Sequence, residues 1–126
     1  KMLIPGADWK EYHVEVGKLT TSELLGIGLL DKADVQNQSD EKPAYKKYFM
    51  HGTSHHMGLD THDYGLLEEP MVKNMVFTVE PGIYLPNEGF GVRLEDDIVI
   101  QSSGEPINLM KGIPIEIEEI EDIMNK

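Results

Sequence analysis

The chain has 126 residues, 40% hydrophobic and 27% charged, which suits one ordinary globular domain with a single core and leaves no room for two. Its 11 Lys plus Arg stand against 23 Asp plus Glu, a formal net charge of −12. That balance argues against a partner whose phosphate backbone would be repelled, so no nucleic acid is expected. The absence of cysteine excludes disulfides, thiolate chemistry and Cys-built zinc sites.

No apolar run approaches the roughly 18 residues a membrane helix needs, and no basic-then-apolar leader opens the chain. The expected compartment is therefore the cytoplasm, with no membrane partner. The sequence opens at Lys1 rather than at a methionine, which fits a fragment, a trimmed chain or a processed one.

In chain order, Pro5-Gly6 is a break and Asp8 is placed to cap a helix whose apolar positions are Trp9, Tyr12, Val16 and Leu19. Thr21 or Ser22 could cap a second short helix through Leu25, followed by an apolar connection at Gly26–Leu30. Asp31 to Lys47 reads as a polar surface loop with room for one helical turn. Tyr48-Phe49-Met50 then leads into a His-rich stretch, His51 to Asp63.

Met75 to Glu80 is predicted as a strand stopped by Pro81-Gly82, and Ile83 to Leu85 as a second strand closed by the turn Pro86-Asn87-Glu88-Gly89. Gly91 to Ile100 alternates and is predicted as a third strand, and Ile107 to Leu109 as a short pairing segment. Pro114 is expected near the first position of a last helix with an Ile117, Ile120, Ile123 and Met124 stripe. Its acidic residues gather near the start, where the helix dipole favours them. Helices, then antiparallel strands, then a helix make an α+β fold, with residues 1–126 as one unit.

The chemistry concentrates in the histidine stretch. His51, His55, His56 and His62 fall within twelve residues, with Asp60 and Asp63 among them. Imidazole and carboxylate together suit Zn, Mn, Fe or Co, although a surface His cluster held by structural hydrogen bonds has the same composition. His51 and His55 have an i, i+4 spacing, but the residue after His51 is Gly52. The His-Glu-x-x-His zinc-protease device is therefore absent. Downstream, Glu80 ends an apolar strand on the side of Val76 and Thr78 by period-two counting, and Glu95 lies on the side of Arg93 and Asp97. A strand Glu flanked by apolar residues needs a metal ion or Arg93 as partner, unless that strand is an edge and Glu95 faces water.

Three blocks carry a resemblance: Met50-His51-Gly52-Thr53-Ser54-His55-His56-Met57-Gly58-Leu59-Asp60-Thr61-His62-Asp63, Val79-Glu80-Pro81-Gly82-Ile83-Tyr84, and Val92-Arg93-Leu94-Glu95-Asp96-Asp97. In their order and spacing they resemble the aminopeptidase P (Xaa-Pro aminopeptidase) family of pita-bread metallopeptidases, over nearly the whole chain. The Ser54-His55 pair and the Gly-Leu-Asp-x-His run lean towards that family rather than prolidase.

The resemblance implies the C-terminal half of a pita-bread catalytic domain, an antiparallel sheet with flanking helices. It implies hydrolysis of an N-terminal Xaa-Pro bond at two divalent ions, manganese foremost, with zinc or cobalt as alternatives. His55, Glu80 and Glu95 match metal ligands, Glu80 also a general base and Glu95 a bridging carboxylate. His51 and His62 match substrate-binding or oxyanion-stabilising histidines, and Arg93 a partner that orients ligands. His56 stands where relatives carry an aromatic residue and is not expected to be a ligand. Two further aspartate ligands of the family have no counterpart in these blocks, so the chain alone is expected to be inactive and could be metal-free.

The implied partners are peptides with proline at the second position. The competing readings are a ligand-depleted pita-bread module that binds peptides or proteins, a prolidase-type dipeptidase, and an α+β fragment that forms homo-oligomers through an exposed half-interface.

Overall fold

The computed structural model describes residues 2–126, leaving Lys1 outside the description. Its elements run α1 (Trp9–Gly26), α2 (Lys32–Gln36), a 3-10 turn at Ala44–Lys47, β1 (Val76–Val79), β2 (Gly82–Leu85), β3 (Phe90–Arg93), β4 (Asp96–Val99), β5 (Ile107–Asn108) and α3 (Ile117–Met124). Helices flank antiparallel strands, as expected for α+β. No helix among the described residues is long and apolar enough to cross a membrane.

Asp8 starts α1 as expected: its carboxylate accepts the Glu11 N–H at 2.9 Å, satisfying one of the donors a helix leaves open at its first turn. The expected second helix at Thr21 or Ser22 does not form, because α1 runs unbroken to Gly26. Inside a helix a Thr hydroxyl can bond back to the preceding turn, and Thr21 does so, donating to the Gly17 carbonyl at 2.8 Å. Leu19, expected on the buried stripe, is exposed, while Leu24 is buried instead. Gly17 lets the Ala44–Lys47 turn lie against α1, since a Cβ there would stand 2.7 Å from the Tyr45 ring. The polar segment after Asp31 holds two short helical pieces, the first closed by reciprocal Asp31–Asp34 capping bonds.

Strands β1 to β4 form one interrupted antiparallel ribbon. In its first part Val76 pairs with Val99 and Val79 with Asp96; in its second Gly82 pairs with Arg93 and Leu85 with Phe90. The register continues across both parts, so the interruption puts Glu80 opposite Glu95 and Pro81 opposite Leu94. Pro81 has no N–H to give to the ladder, which explains why pairing breaks there. The expected single strand 91–100 is thus two strands in two sheets. The side assignments survive the break, because alternation continues through it.

β5 extends the first part beyond β4, and Leu109 N–H donates to the Asp97 carbonyl at 2.8 Å. On the other edge of β1 the histidine stretch adds itself as an irregular strand. The bonds from Met57 N to Val76 O, Thr78 N to His55 O and Glu80 N to Thr53 O are 3.2, 3.1 and 2.8 Å, and His56 bridges Phe77.

This layered sheet has two faces. Phe77 and Ile98 point to α1 and bury Trp9, Tyr12, Met71 and Ile100 with them; the Trp9 and Phe77 rings meet edge-on with centroids 4.6 Å apart. Successive residues alternate, so Thr53, His55, Thr78, Glu80 and Glu95 lie on the opposite face. The last helix starts later than expected: Pro114 precedes it by three residues and Glu116 is its N-cap. Its Ile117, Ile120, Ile123 and Met124 stripe forms as expected, yet α3 buries none of its residues among the described ones.

Candidate metal centre

The ribbon break and the added histidine strand converge on one spot. His55 lies opposite Thr78 in the ladder, so Glu80 is its diagonal neighbour on the same face, and Glu95 lies straight across from Glu80. One ligand atom from each of His55, Glu80 and Glu95 falls within 4.8 Å of the others. Glu80 is mostly enclosed, its side chain 13% exposed, whereas that of Glu95 is 38% exposed.

Hydrogen bonding fixes the chemistry of the imidazole. His55 Nδ1 lies 2.9 Å from the His56 carbonyl oxygen, which can only accept, so Nδ1 carries a hydrogen. A neutral His55 therefore presents a lone pair at Nε2, and that atom is 3.2 Å from Glu80 Oε1. A lone pair facing a carboxylate oxygen at that distance is favourable only with a cation between or beside them, either a proton on Nε2 or a metal. The Glu80–Glu95 juxtaposition has the same need, since like charges opposite each other in a ladder destabilise it. One imidazole with two carboxylates is a mixed donor set that fits a divalent ion such as Mn, Zn or Co.

Arg93 stands beside both carboxylates: Nη1 is 3.7 Å from Glu80 Oε2 and Nη2 is 4.0 Å from Glu95 Oε2. These distances are too long for hydrogen bonds and leave a half-exposed charge that lowers the repulsion without neutralising it.

The His62 ring rests against His55, with centroids 4.4 Å apart. Its loop is stapled by Asp63, whose carboxylate accepts the N–H groups of Leu59 and Tyr64 at 2.9 and 2.7 Å. The Asp63 carboxylate is thus occupied as a loop staple. His51 is held differently: Nδ1 donates to the Gly52 carbonyl at 2.7 Å, so neutral Nε2 accepts from the Tyr84 hydroxyl at 2.9 Å. Tyr84 reaches it because its ring lies over Gly82 and Gly91, where a Cβ would come within 2.8 and 2.6 Å. His56 points to the other face, between Trp9 and Phe77 at centroid distances of 5.4 and 4.7 Å. Burial lowers its pKa, with Asp63 opposing and His55 adding to the shift. It fills the role of an aromatic core residue.

Sequence reading assigned no role to Tyr84 or Thr78, although both stand inside the quoted blocks or beside them. Thr78 Oγ1 accepts the His55 N–H at 3.1 Å and donates to Glu80 Oε1 at 3.4 Å. The only sequence signal for Thr78 was its place on the Glu80 side of the strand.

Comparison with known proteins shows the family and the fold. The model of metallopeptidase family M24 matches residues 1–102. Xaa-Pro aminopeptidase of Haemophilus influenzae is 37% identical over 99% of this chain and 31% of its own length. Among solved structures, proline aminopeptidase P II from Yersinia pestis superposes with a TM-score of 0.80 at 33% identity, covering 98% of this chain and 31% of that one. A variant of Escherichia coli aminopeptidase P in complex with substrate gives 0.78 at 34% identity, covering 98% and 30%. The chain therefore spans about a third of the length of these relatives, and by the family match and this shared fold it belongs to metallopeptidase family M24.

Proposed function

We propose that the intact protein removes the N-terminal residue from peptides whose second residue is proline, at a centre of two divalent ions to which this chain brings His55, Glu80 and Glu95. The observation that carries the reading is the convergence of those three donors at the ribbon break, with His55 Nε2 at 3.2 Å from Glu80 Oε1. The similarity to Xaa-Pro aminopeptidases supports the substrate class. Manganese is the foremost candidate metal, with zinc and cobalt as alternatives.

Divalent ions held there would acidify a water molecule and polarise the scissile carbonyl. Glu80 takes the proton of the attacking water and delivers it to the leaving prolyl nitrogen, one carboxylate serving as base and then as acid. Arg93 keeps Glu80 and Glu95 close by sharing its charge between them. His51, held by the Gly52 carbonyl and the Tyr84 hydroxyl, orients the peptide, and His62, against His55, offsets the charge on the carbonyl oxygen. A peptide-binding module without catalysis has no need of the three donors together.

Three donors are too few to hold two ions, so this chain on its own is proposed to bind an ion weakly and to hydrolyse nothing. The test measures manganese content and Xaa-Pro hydrolysis on the intact protein, its His55→Ala variant and the 126-residue chain. The intact protein should carry metal and activity and the variant neither. Hydrolysis that survives His55→Ala with metal content unchanged removes the proposal.

A further inference from the structure

Building on the metal-centre reading, we propose that the Thr78 hydroxyl is a positioning residue that sets two of the three donors at once. Thr78 is 0% exposed and sits in β1 on the donor face, between the histidine strand and β4. A β-branched side chain in a strand has few rotamers, so its hydroxyl is aimed by the backbone itself.

A hydroxyl has one hydrogen to give and lone pairs to receive. Thr78 Oγ1 receives the His55 N–H at 3.1 Å, which pins the backbone from which the imidazole projects. The hydrogen is then available to Glu80 Oε1 at 3.4 Å, the same oxygen that faces His55 Nε2 at 3.2 Å. Asp97 is the ladder partner of Thr78, and its buried Oδ1 has no hydrogen-bond partner, so the hydrogen is not spent there. A single oxygen therefore links the chain segment of the imidazole ligand to the carboxylate that must stand next to it. Replacing a group that orients a ligand in this way typically costs about 10- to 100-fold in metal affinity.

The hydroxyl and the side-chain bulk are separable. Thr78→Val keeps the shape and removes both bonds, Thr78→Ala removes them with less bulk, and Thr78→Ser keeps the hydroxyl. Two readouts are taken on the chain: amide hydrogen exchange at His55, without metal, and Co2+ titration followed by its absorption spectrum, with His55→Ala as the non-binding control. The Val and Ala variants should both exchange the His55 amide faster than wild type and bind Co2+ about 10- to 100-fold more weakly, with an altered spectrum. Ser should restore both.

A valine variant with wild-type exchange and affinity overturns the proposal, as does a serine variant as impaired as valine, because bulk rather than the hydroxyl would then be at work. If wild type binds Co2+ no better than His55→Ala, the proposal that this chain holds an ion on its own fails, separately from the role of Thr78. The metal-free exchange contrast then decides whether Thr78 positions His55.

Discussion

Glu80 and Glu95 face each other across the interruption of a ribbon whose register is otherwise continuous, and Arg93 reaches towards both, 3.7 Å from one and 4.0 Å from the other. Two carboxylates in that position repel, and a half-exposed guanidinium relieves them only in part. A local cost of this kind, kept at the proposed cation site, is a pattern common at functional sites.

The first prediction separates that cost from its use. Glu95→Gln keeps the shape and removes one charge. Without divalent ions the variant should be as stable as wild type or more stable by up to about 1 kcal/mol, the scale of cross-strand charge pairs. With manganese added, wild type should gain melting temperature by mass action and the variant should not. Thermal melts with and without manganese check both arms, and equal manganese shifts in the two proteins contradict the assignment of Glu95.

A second prediction concerns acid sensitivity. The pKa of His56 lies below its ordinary 6.5, first because of burial, which Asp63 opposes and the neighbouring His55 reinforces. Above 6.5 the ring is neutral in both folded and unfolded chains and contributes no pH dependence. As the pH falls below that value the unfolded chain takes up a proton that the packed ring resists, so folding stability declines. His56→Phe should flatten the acid-side slope of urea-unfolding stability against pH. A slope unchanged from wild type would mean other groups account for the decline.

How far the sequence foretold this arrangement depends on what each feature rests on. The convergence of His55, Glu80 and Glu95 was legible because their blocks are short and specific, and the side of the strand they occupy follows from alternation alone. The break between β3 and β4 was not legible, because Leu94 and Glu95 keep the alternation. What ends the pairing is Pro81, thirteen residues before Leu94 in the chain but opposite it in the ladder. Thr78 was invisible as a linker for the same reason: its bond to His55 exists only once the histidine stretch joins β1. The false helix start at Thr21 shows the ambiguity of a hydroxyl that caps from outside a helix and bonds backwards within one.

A third prediction tests how the back of the sheet steadies the front. The Tyr12 hydroxyl is 2.8 Å from Ser54 Oγ, tying α1 to the residue next to His55 on the face away from the donors. Tyr12→Phe leaves the buried ring in place and removes that bond, which should lower stability by about 1 kcal/mol. In urea the midpoint should fall with the slope unchanged, since the surface exposed on unfolding is the same. Phe77→Ala, by contrast, empties the centre of the core beneath Trp9 and His56 and should cost about 3–5 kcal/mol, a large part of a small domain's total stability. If Tyr12→Phe proves as costly as Phe77→Ala, the hydroxyl bond carries more than the geometry assigns to it.

The last prediction turns on α3, where sequence and packing part company. Ile117, Ile120, Ile123 and Met124 form an apolar stripe of the kind that usually covers a core, yet none of them is buried. A side chain that touches little in the folded state has little to lose, so Ile120→Ser should change unfolding stability by no more than about 0.5 kcal/mol. Leu24→Ser should be severely destabilising, because Leu24 is 1% exposed and a hydroxyl there would have no water to bond. The stripe should instead show itself between molecules: exposed apolar patches promote association, and sedimentation at rising concentration should give larger species for wild type than for Ile120→Ser. A large stability loss in Ile120→Ser, with sedimentation unchanged, would mean that α3 docks on its own chain in solution.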